Sequence, residues 1–459
     1  MSVSRRHFFF GSLAAPVAAQ RRGAAPAKPN ILLILADDLA SWMLGCYGNK
    51  EIHTPNIDRL AAMGARFMNS FVCTPICSAS RATLFTGRVP RQHGIHDFLT
   101  EKPIEHPPQG QKAPPASFSQ EIMISDVLAQ NGYTCGYFGK WHMGNDEKPQ
   151  HGFTNWYTVT GGRTYNDPHV SVNGEARQEK GYLADLLTGR AAQFLDGQSK
   201  EKPFFLTVSH LNPHVPYEGH PQKYYDLYAN ASFEAAGWEP PAPNALREKE
   251  YLKDPVVNLR KAAAATTALD DQIPPLLNKL RERGLYDNTL VIFTGDNGFL
   301  LGRHGLWSKG LASDPINMYE EVMRVPMIWS WPGKVPVQHT PPELVSFYDF
   351  LPTLCDMVDA PVPQRNLTGR SYLPLATGKP LPRNQPWGSY VFGHFRNTEM
   401  ARDARYKLVL RNEGRGPNEL FDLRADSREK VNQYDNPAFV NTRDRLAKHL
   451  AEWRGRSSK

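Results

Sequence analysis

Four short stretches of the chain are apolar almost without interruption: Asn30 to Ala36 (NILLILA), Thr134 to Phe138 (TCGYF), Phe204 to Ser209 (FFLTVS) and Leu290 to Thr294 (LVIFT). Apolar and polar positions do not alternate in them, so they predict strands buried on both faces, the habit of parallel sheets. Helical patterns fall between them. Thr54-Pro55 starts one that Gly64 can end, Ser125 to Gln130 carries another, and Leu259 to Arg283 carries a longer one that Pro274-Pro275 should break. Strands alternating with helices predict an α/β fold, a large and mostly parallel sheet covered by helices on both faces. Each apolar run is followed at once by polar side chains: Asp37 and Asp38; Lys140 and His142; His210, Asn212 and His214; Asp296 and Asn297. Ligands of open α/β sheets gather beyond the carboxyl ends of the strands. One pocket fed by four strand ends is the economical expectation.

The last third of the chain changes character. RVPMIWSWPG from Arg324 predicts another core strand, DFLPTLCDMV from Asp349 a helix, and the Pro, Lys and Arg around Gly378 to Pro386 a linker. Beyond it, Tyr406 to Leu410 (YKLVL) and Glu419 to Leu423 (ELFDL) read as paired strands, followed by a helix from about Asn441 to Arg454. The expected division is a main α/β domain over residues 28–380 and a smaller C-terminal antiparallel-sheet-plus-helix subdomain over residues 387–459. Two Pro-rich stretches, Lys102 to Ser117 and Pro216 to Pro243, are long for loops in a compact domain and suit rims or lids. The aromatics of the second, Tyr217, Tyr224, Tyr225, Tyr228 and Trp238, read as a satellite core.

Composition narrows the class. A chain of 459 residues with 41% hydrophobic and 22% charged residues is ordinary globular material, not a disordered one. The net charge of +7 is modest, and no dense basic tract or nucleic-acid motif accompanies it. The N-terminus reads SRRHFFFGSLAAPVAA. Its paired Arg5 and Arg6, short apolar run and small residues predict a twin-arginine-type signal peptide over residues 1–19, and so a bacterial protein exported by the twin-arginine machinery to the periplasm or beyond. That run is shorter than the roughly 20 apolar residues needed to span a bilayer, so no stable membrane insertion is expected. Five cysteines are an odd and sparse set that implies no disulfide framework.

Cys77 opens the run CSASRATLFTGR. If Ser78 begins a helix that reaches about Thr86, Cys77 is its N-cap, where free N–H groups and the positive dipole end favour an anion. Arg81 then stands one turn on over the same face, with a guanidinium suited to an oxyanion. An isolated CxxxR would read as a buried structural cysteine or as half of a Cys73/Cys77 disulfide. The longer run through Leu84, Thr86, Gly87 and Arg88 resembles the signature of the type I sulfatases of the alkaline phosphatase-like superfamily, whose cysteine is oxidised to formylglycine. Starting the motif at Cys73 gives CTPIC, with a cysteine where arginine is required, which leaves Cys77. Ala79 stands where the family most often has proline. GKWH, the PHxP of Pro213 to Pro216 and the GRHGLWSKG that carries His304 and Lys309 are similar to further sulfatase blocks.

A lone Asp37-Asp38 suits a helix cap, and Asp296-Asn297 in TGDNG suits a turn. Brought into one cleft, three carboxylates repel one another and would each cost several kcal/mol to bury unpaired. A divalent cation removes that difficulty. The donors offered are oxygens, which favours Ca2+, with Mg2+ as the alternative; zinc would want more imidazole or thiolate. The resemblance implies the same, with one calcium ion held by Asp37, Asp38, Asp296, Asn297 and the formylglycine made from Cys77.

The resemblance also implies the chemistry. Sulfate oxygens would be held by the cation, Lys140 and Lys309, while Arg81 braces the hydrated aldehyde. His214 would protonate the departing alcohol and His142 would take a proton from the hydrate; His304 ranks behind these, and His210 has no assigned role. The expected activity is hydrolysis of sulfate esters, with export suggesting a sulfated carbohydrate. The implied partners are that substrate, a formylglycine-generating maturation enzyme and the export machinery. Three other readings share some of these features. A phosphodiesterase or phosphonate monoester hydrolase of the superfamily would keep the fold and metal end. A two-zinc phosphatase commonly has histidine after its later aspartate, where this chain has Asn297. A catalytically inactive glycan-binding relative would keep Cys77 as a thiol.

Overall fold

The structure, a computed structural model, describes Met1 and residues 28–100, 110–162, 164–384 and 386–458. Apart from Met1, the signal-peptide expectation for residues 1–19 lies outside the described residues, as do residues 102–109 of the first Pro-rich stretch.

The four apolar runs form the centre of a nine-stranded sheet. Thr289–Gly295, Asn30–Ala36, Phe204–Ser209 and Thr134–Gly139 lie side by side in that order and all run parallel. Asn155–Thr160 extends the parallel set, and His169–Val172 and Glu175–Gln178 finish that side as antiparallel strands. On the other side Met327–Ser330, the strand expected after Arg324, runs antiparallel to Thr289–Gly295 and is followed by Ala65–Arg66.

Side chains of a strand alternate between faces, and the central strand divides accordingly. Ile31, Leu33 and Leu35 enter one core with residues of the helices Cys77–Thr86, Ile124–Gln130 and Phe350–Met357. Leu32, Ile34 and Ala36 enter the other with residues of Pro55–Ala62, Leu183–Asp196, Pro255–Asp270 and Ile273–Glu282. Both faces being covered is what removes alternation from the sequence of the strands.

The expected long helix is broken near Pro274-Pro275, as the sequence suggested, into Pro255–Asp270 and Ile273–Glu282. Asp254 caps the first, accepting from Val257 N at 3.2 Å, and the chain turns at Asp271 and Gln272. Pro274 and Pro275 lie in the first turn of the second helix, where a missing N–H leaves no bond unmade.

The C-terminal part is an antiparallel four-stranded meander, Val391–Phe395, Thr398–Arg402, Tyr406–Arg411 and Glu419–Asp422. Helix Val440–Ser457 lays the stripe Leu446, Leu450 and Trp453 against Phe392, Ala401, Leu408 and Leu420. That spacing of four and three residues is one helical face. The Pro216 to Pro243 loop buries Tyr217, Tyr224 and Tyr228 in the second core itself and not in a separate satellite cluster, while Trp238 stays 41% exposed. All five cysteines are free thiols, so Cys73 and Cys77 are not joined. Among the described residues no helix is long and apolar enough to cross a membrane.

Candidate active site

The parallel ladder runs one residue past each strand and so fixes the first polar groups. Asp37 N donates to Asn212 O at 3.1 Å, Lys140 N to Ser209 O at 3.0 Å, His210 N to Leu35 O at 2.9 Å and Asp296 N to Ala36 O at 2.9 Å. The backbones of Gly139 and Ser209 approach so closely that a Cβ at Gly139 would stand 1.9 Å from Ser209 O. Only glycine fits there.

Helix Cys77–Thr86 points its N-terminus at this edge. Cys77 is its first helical residue and Ile76, in extended conformation, its N-cap, one position earlier than the sequence suggested. Every residue of the helix is buried, and Gly87 closes it in the left-handed conformation at φ 67°. Cys77 itself is 2% exposed.

Charged groups surround its sulfur. Asp37 Oδ1 lies 3.4 Å and Asp38 Oδ1 3.9 Å from Cys77 Sγ, and Lys309 Nζ lies 2.8 Å from it. Lys309 also pairs with Asp38, and Lys140 with Asp37. His214 Nε2 is 3.4 Å from Asp38 Oδ2. Donor atoms of Asp37, Asp38, Cys77 and His214 all lie within 4.8 Å of one another, which brings His214 into the group of potential ligands, a place the sequence did not assign it.

Asp296 and Asn297 join through Asp38. Asp296 Oδ1 accepts from Asp38 N at 3.0 Å, and Asn297 Nδ2 donates to Asp38 Oδ1 at 2.8 Å. Arg81 crosses beneath the sulfur: Nε donates to Asp296 Oδ2 at 2.8 Å, Nη1 to Lys140 O at 2.6 Å and to Ser209 Oγ at 2.8 Å. Its place inside the helix therefore ties the segment that carries Cys77 to three strand ends.

Electrostatics follow from this packing. Burial alone raises Asp37, but Lys140, His214, Arg81 and Lys309 outweigh it and hold the carboxyl well below its usual range. Asp38 is lowered against burial chiefly by Lys309 and His214. Asp296 goes the other way, to about 6, because burial and Asp37 outweigh Arg81 and Lys140. Burial and Asp37 push the Cys77 thiol upward, so the unmodified sulfur is a poor nucleophile. His142 is held neutral by burial and by Lys140. Its Nε2–H donates to Leu99 O at 3.1 Å, which leaves Nδ1, buried and without a partner, as the basic nitrogen. Asp38 and His142 adopt positive φ values of 64° and 56°, backbone strain of the kind that gathers at functional sites.

Two histidines lie apart. His304 stacks on Tyr319 at 3.8 Å and meets Glu321 Oε2 at 3.2 Å, the contacts of a loop brace. His210 is fully buried, has no partner at either nitrogen and is lowered to about 3 by burial. Ser80, whose Oγ donates to Asp296 O, Ser209 and Asn317 also support the cluster. Ser80 lies inside the Cys77 run and Ser209 ends an apolar run, but neither spacing nor residue type marked them or Asn317 as supports. A cavity of 590 Å³ beside Cys355, Asn366 and Arg370 shares no residue with the cluster.

Carboxylates around one buried thiol, paired with the ammonium groups of Lys140 and Lys309 and the imidazole of His214, make a site suited to an anionic ester. Comparison with known proteins makes the class specific. The sulfatase family model matches residues 29–360, and the model of the N-sulphoglucosamine sulphohydrolase C-terminal region matches residues 302–456. The chain belongs to the sulfatase family and is a sulfuric ester hydrolase. Among its relatives, the N-acetylglucosamine-6-O-sulfatase of Bacteroides thetaiotaomicron is 26% identical over 93% of this chain and 86% of that protein. Human arylsulfatase A is 31% identical over 78% of this chain and 69% of its own length. A solved structure in complex with its substrate D-glucosamine-2-N,6-O-disulfate superposes with TM-score 0.78 at 24% identity, covering 94% of this chain and 98% of the other. The phosphonate monoester hydrolase of Agrobacterium radiobacter shares the fold at TM-score 0.70 and 20% identity, covering 94% and 96%.

Proposed function

We propose that this enzyme removes sulfate from sulfated carbohydrates, with Cys77 converted to formylglycine and one Ca2+, or Mg2+, held by Asp37, Asp38, Asp296, Asn297 and position 77. The observation that carries the reading is the meeting of Lys309, Asp37 and Asp38 at Cys77 Sγ on the N-terminal turn of a buried helix. Sulfated sugars as substrates are supported by the relatives, one of which is named for N-acetylglucosamine-6-O-sulfate chemistry.

The residues fit a hard cation. Two carboxylates face the sulfur, and Asn297 Oδ1 is a buried oxygen that accepts no hydrogen bond. A bound divalent cation would neutralise the carboxylates and draw sulfate oxygens toward them. Converted to formylglycine, position 77 supplies as its hydrate one hydroxyl to attack sulfur and a second whose deprotonation releases sulfate, which a thiol lacks.

The remaining work falls to side chains already in place. Lys140 and Lys309 hold the sulfate oxygens where negative charge accumulates. His214 Nε2 delivers a proton to the departing alcohol, and His142 Nδ1 receives one from position 77. Arg81 fixes the helix against the carboxylates. Maturation requires a formylglycine-generating enzyme, and Arg5-Arg6 supports export by the twin-arginine machinery to the periplasm or beyond. Turnover assays on sulfated oligosaccharides, aryl sulfates, phosphate diesters and phosphonate monoesters test the reading. Sulfate release from sugars should exceed phosphorus ester cleavage, and a preference for phosphonates would replace it with the other hydrolase of this fold.

A further inference from the structure

Lys309 reaches the centre of the site from irregular backbone, immediately before a short turn of helix at Gly310–Ala312. A lysine side chain is flexible, so the place of its ammonium depends on how firmly its backbone is held. Here the backbone is held from three sides. Gly310 N donates to Pro75 O at 3.3 Å, two residues before Cys77. A Cβ at Gly310 would meet Pro75 Cγ at 2.8 Å and the Phe395 ring at 2.9 Å, so this approach requires glycine. On the third side stands Asn317, 3% exposed. Its Nδ2 donates to Lys309 O at 3.1 Å, Gly310 O at 3.2 Å and Ser313 Oγ at 3.3 Å, and its backbone N–H donates to Gly310 O at 3.2 Å.

Asn317 is gripped on both flanks by the C-terminal sheet. Arg411 donates to Ile316 O from Nε at 3.1 Å and from Nη2 at 2.7 Å. Lys407 Nζ donates to Met318 O at 2.8 Å, and Glu320 N donates to Glu429 Oε2 at 2.7 Å. The Lys407 and Glu429 side chains are both 0% exposed and paired. Cations buried this deeply keep their carbonyl and carboxylate partners, because losing one leaves a charge with no solvent to replace it. Residues 316–320 are therefore fixed relative to strand Tyr406–Arg411.

We propose that Asn317 is a positioning residue for Lys309, set in place by Arg411 and Lys407, so that the C-terminal sheet is part of the active-site framework. The effect on turnover rests on the sulfate-holding role given to Lys309 above, whereas the effect on its placement does not. Labelling of the folded protein with an amine-reactive succinimidyl ester, followed lysine by lysine by mass spectrometry, reads placement directly. Asn317→Ala should raise the labelling rate at Lys309 about tenfold, by allowing local opening, while Lys407 stays protected. Equal rates at Lys309 in the two proteins would overturn the proposal. Asn317→Asp keeps the volume and removes the donor, and gives the same comparison if the alanine variant does not fold. In turnover, Asn317→Ala should lower kcat by about 10–100-fold with Lys309 present and by less than about twofold in a Lys309→Ala background. Losses of equal size in both backgrounds would also overturn it. Faster labelling with unchanged turnover would uphold the placement and count against the role of Lys309 in the reaction.

Discussion

Arg81 Nε stands 2.8 Å from Asp296 Oδ2, both side chains are 0% exposed, and the two residues are 215 positions apart in the chain. This contact joins helix Cys77–Thr86 to the end of strand Thr289–Gly295. Removing one partner of a buried pair leaves an uncompensated charge, so Arg81→Met should destabilise the fold by about 3–5 kcal/mol. Urea unfolding followed by circular dichroism measures it. Arg81→Lys keeps the charge but cannot reach Lys140 O and Ser209 Oγ together, and should restore only part of the loss. An unchanged midpoint in Arg81→Met would show that the contact contributes nothing.

His214 lies 3.4 Å from Asp38, and in the proposed reaction it protonates the leaving alcohol. Such help matters most when the alcohol is a poor leaving group. His214→Ala should therefore lower kcat on an alkyl or sugar sulfate by ~10²–10⁴-fold, and far less on a nitrophenyl sulfate. Equal losses on the two substrates would assign His214 to binding.

Ion binding should be visible without turnover. With free Ca2+ at a hundred times its dissociation constant, the folded state gains about 2.7 kcal/mol. Chelation should lower the melting temperature and added Ca2+ restore it, whereas Asp37→Asn with Asp38→Asn should melt at one temperature in either buffer. A calcium shift that survives both substitutions would place the ion elsewhere.

Much of this arrangement is legible in the sequence. Asn30–Ala36 and Phe204–Ser209 coincide with their apolar runs to the residue because parallel strands covered on both faces need apolar side chains at every position. The polar residues after them share one edge because parallel strands end on the same side. Less legible is what depends on partners distant in the chain. Nothing near Ser209 or Asn317 marks them as supports for Arg81 and Lys309, and nothing near Tyr165 indicates that its hydroxyl donates to His214 O. The helix boundary at Cys77 shifted by one residue because Ile76, which has no capping side chain, still adopts the extended conformation of an N-cap.

Acid should weaken the loop that carries His304. Burial alone raises the Glu321 carboxyl, but His304 and Arg303 outweigh it and lower it from 4.5 to about 2. A depressed carboxyl contributes stability that is complete above pH 4.5 and is lost as pH falls toward about 2. The contribution is on the order of 3 kcal/mol. Glu321→Gln should be less stable than wild type at neutral pH and lose less between those limits, as denaturant titrations at stepped pH would record. Parallel stability curves for the two proteins would show that Glu321 titrates alike folded and unfolded.

The direct test of the chemistry is the mass of the tryptic peptide that contains Cys77, taken from protein co-expressed with a formylglycine-generating enzyme and assayed for sulfate release. Oxidation to formylglycine lowers that peptide by roughly 18 Da, and activity should rise in proportion to the converted fraction and vanish in Cys77→Ala. Full turnover from protein whose peptide retains the thiol mass throughout would contradict the assignment of Cys77 as the source of the nucleophile.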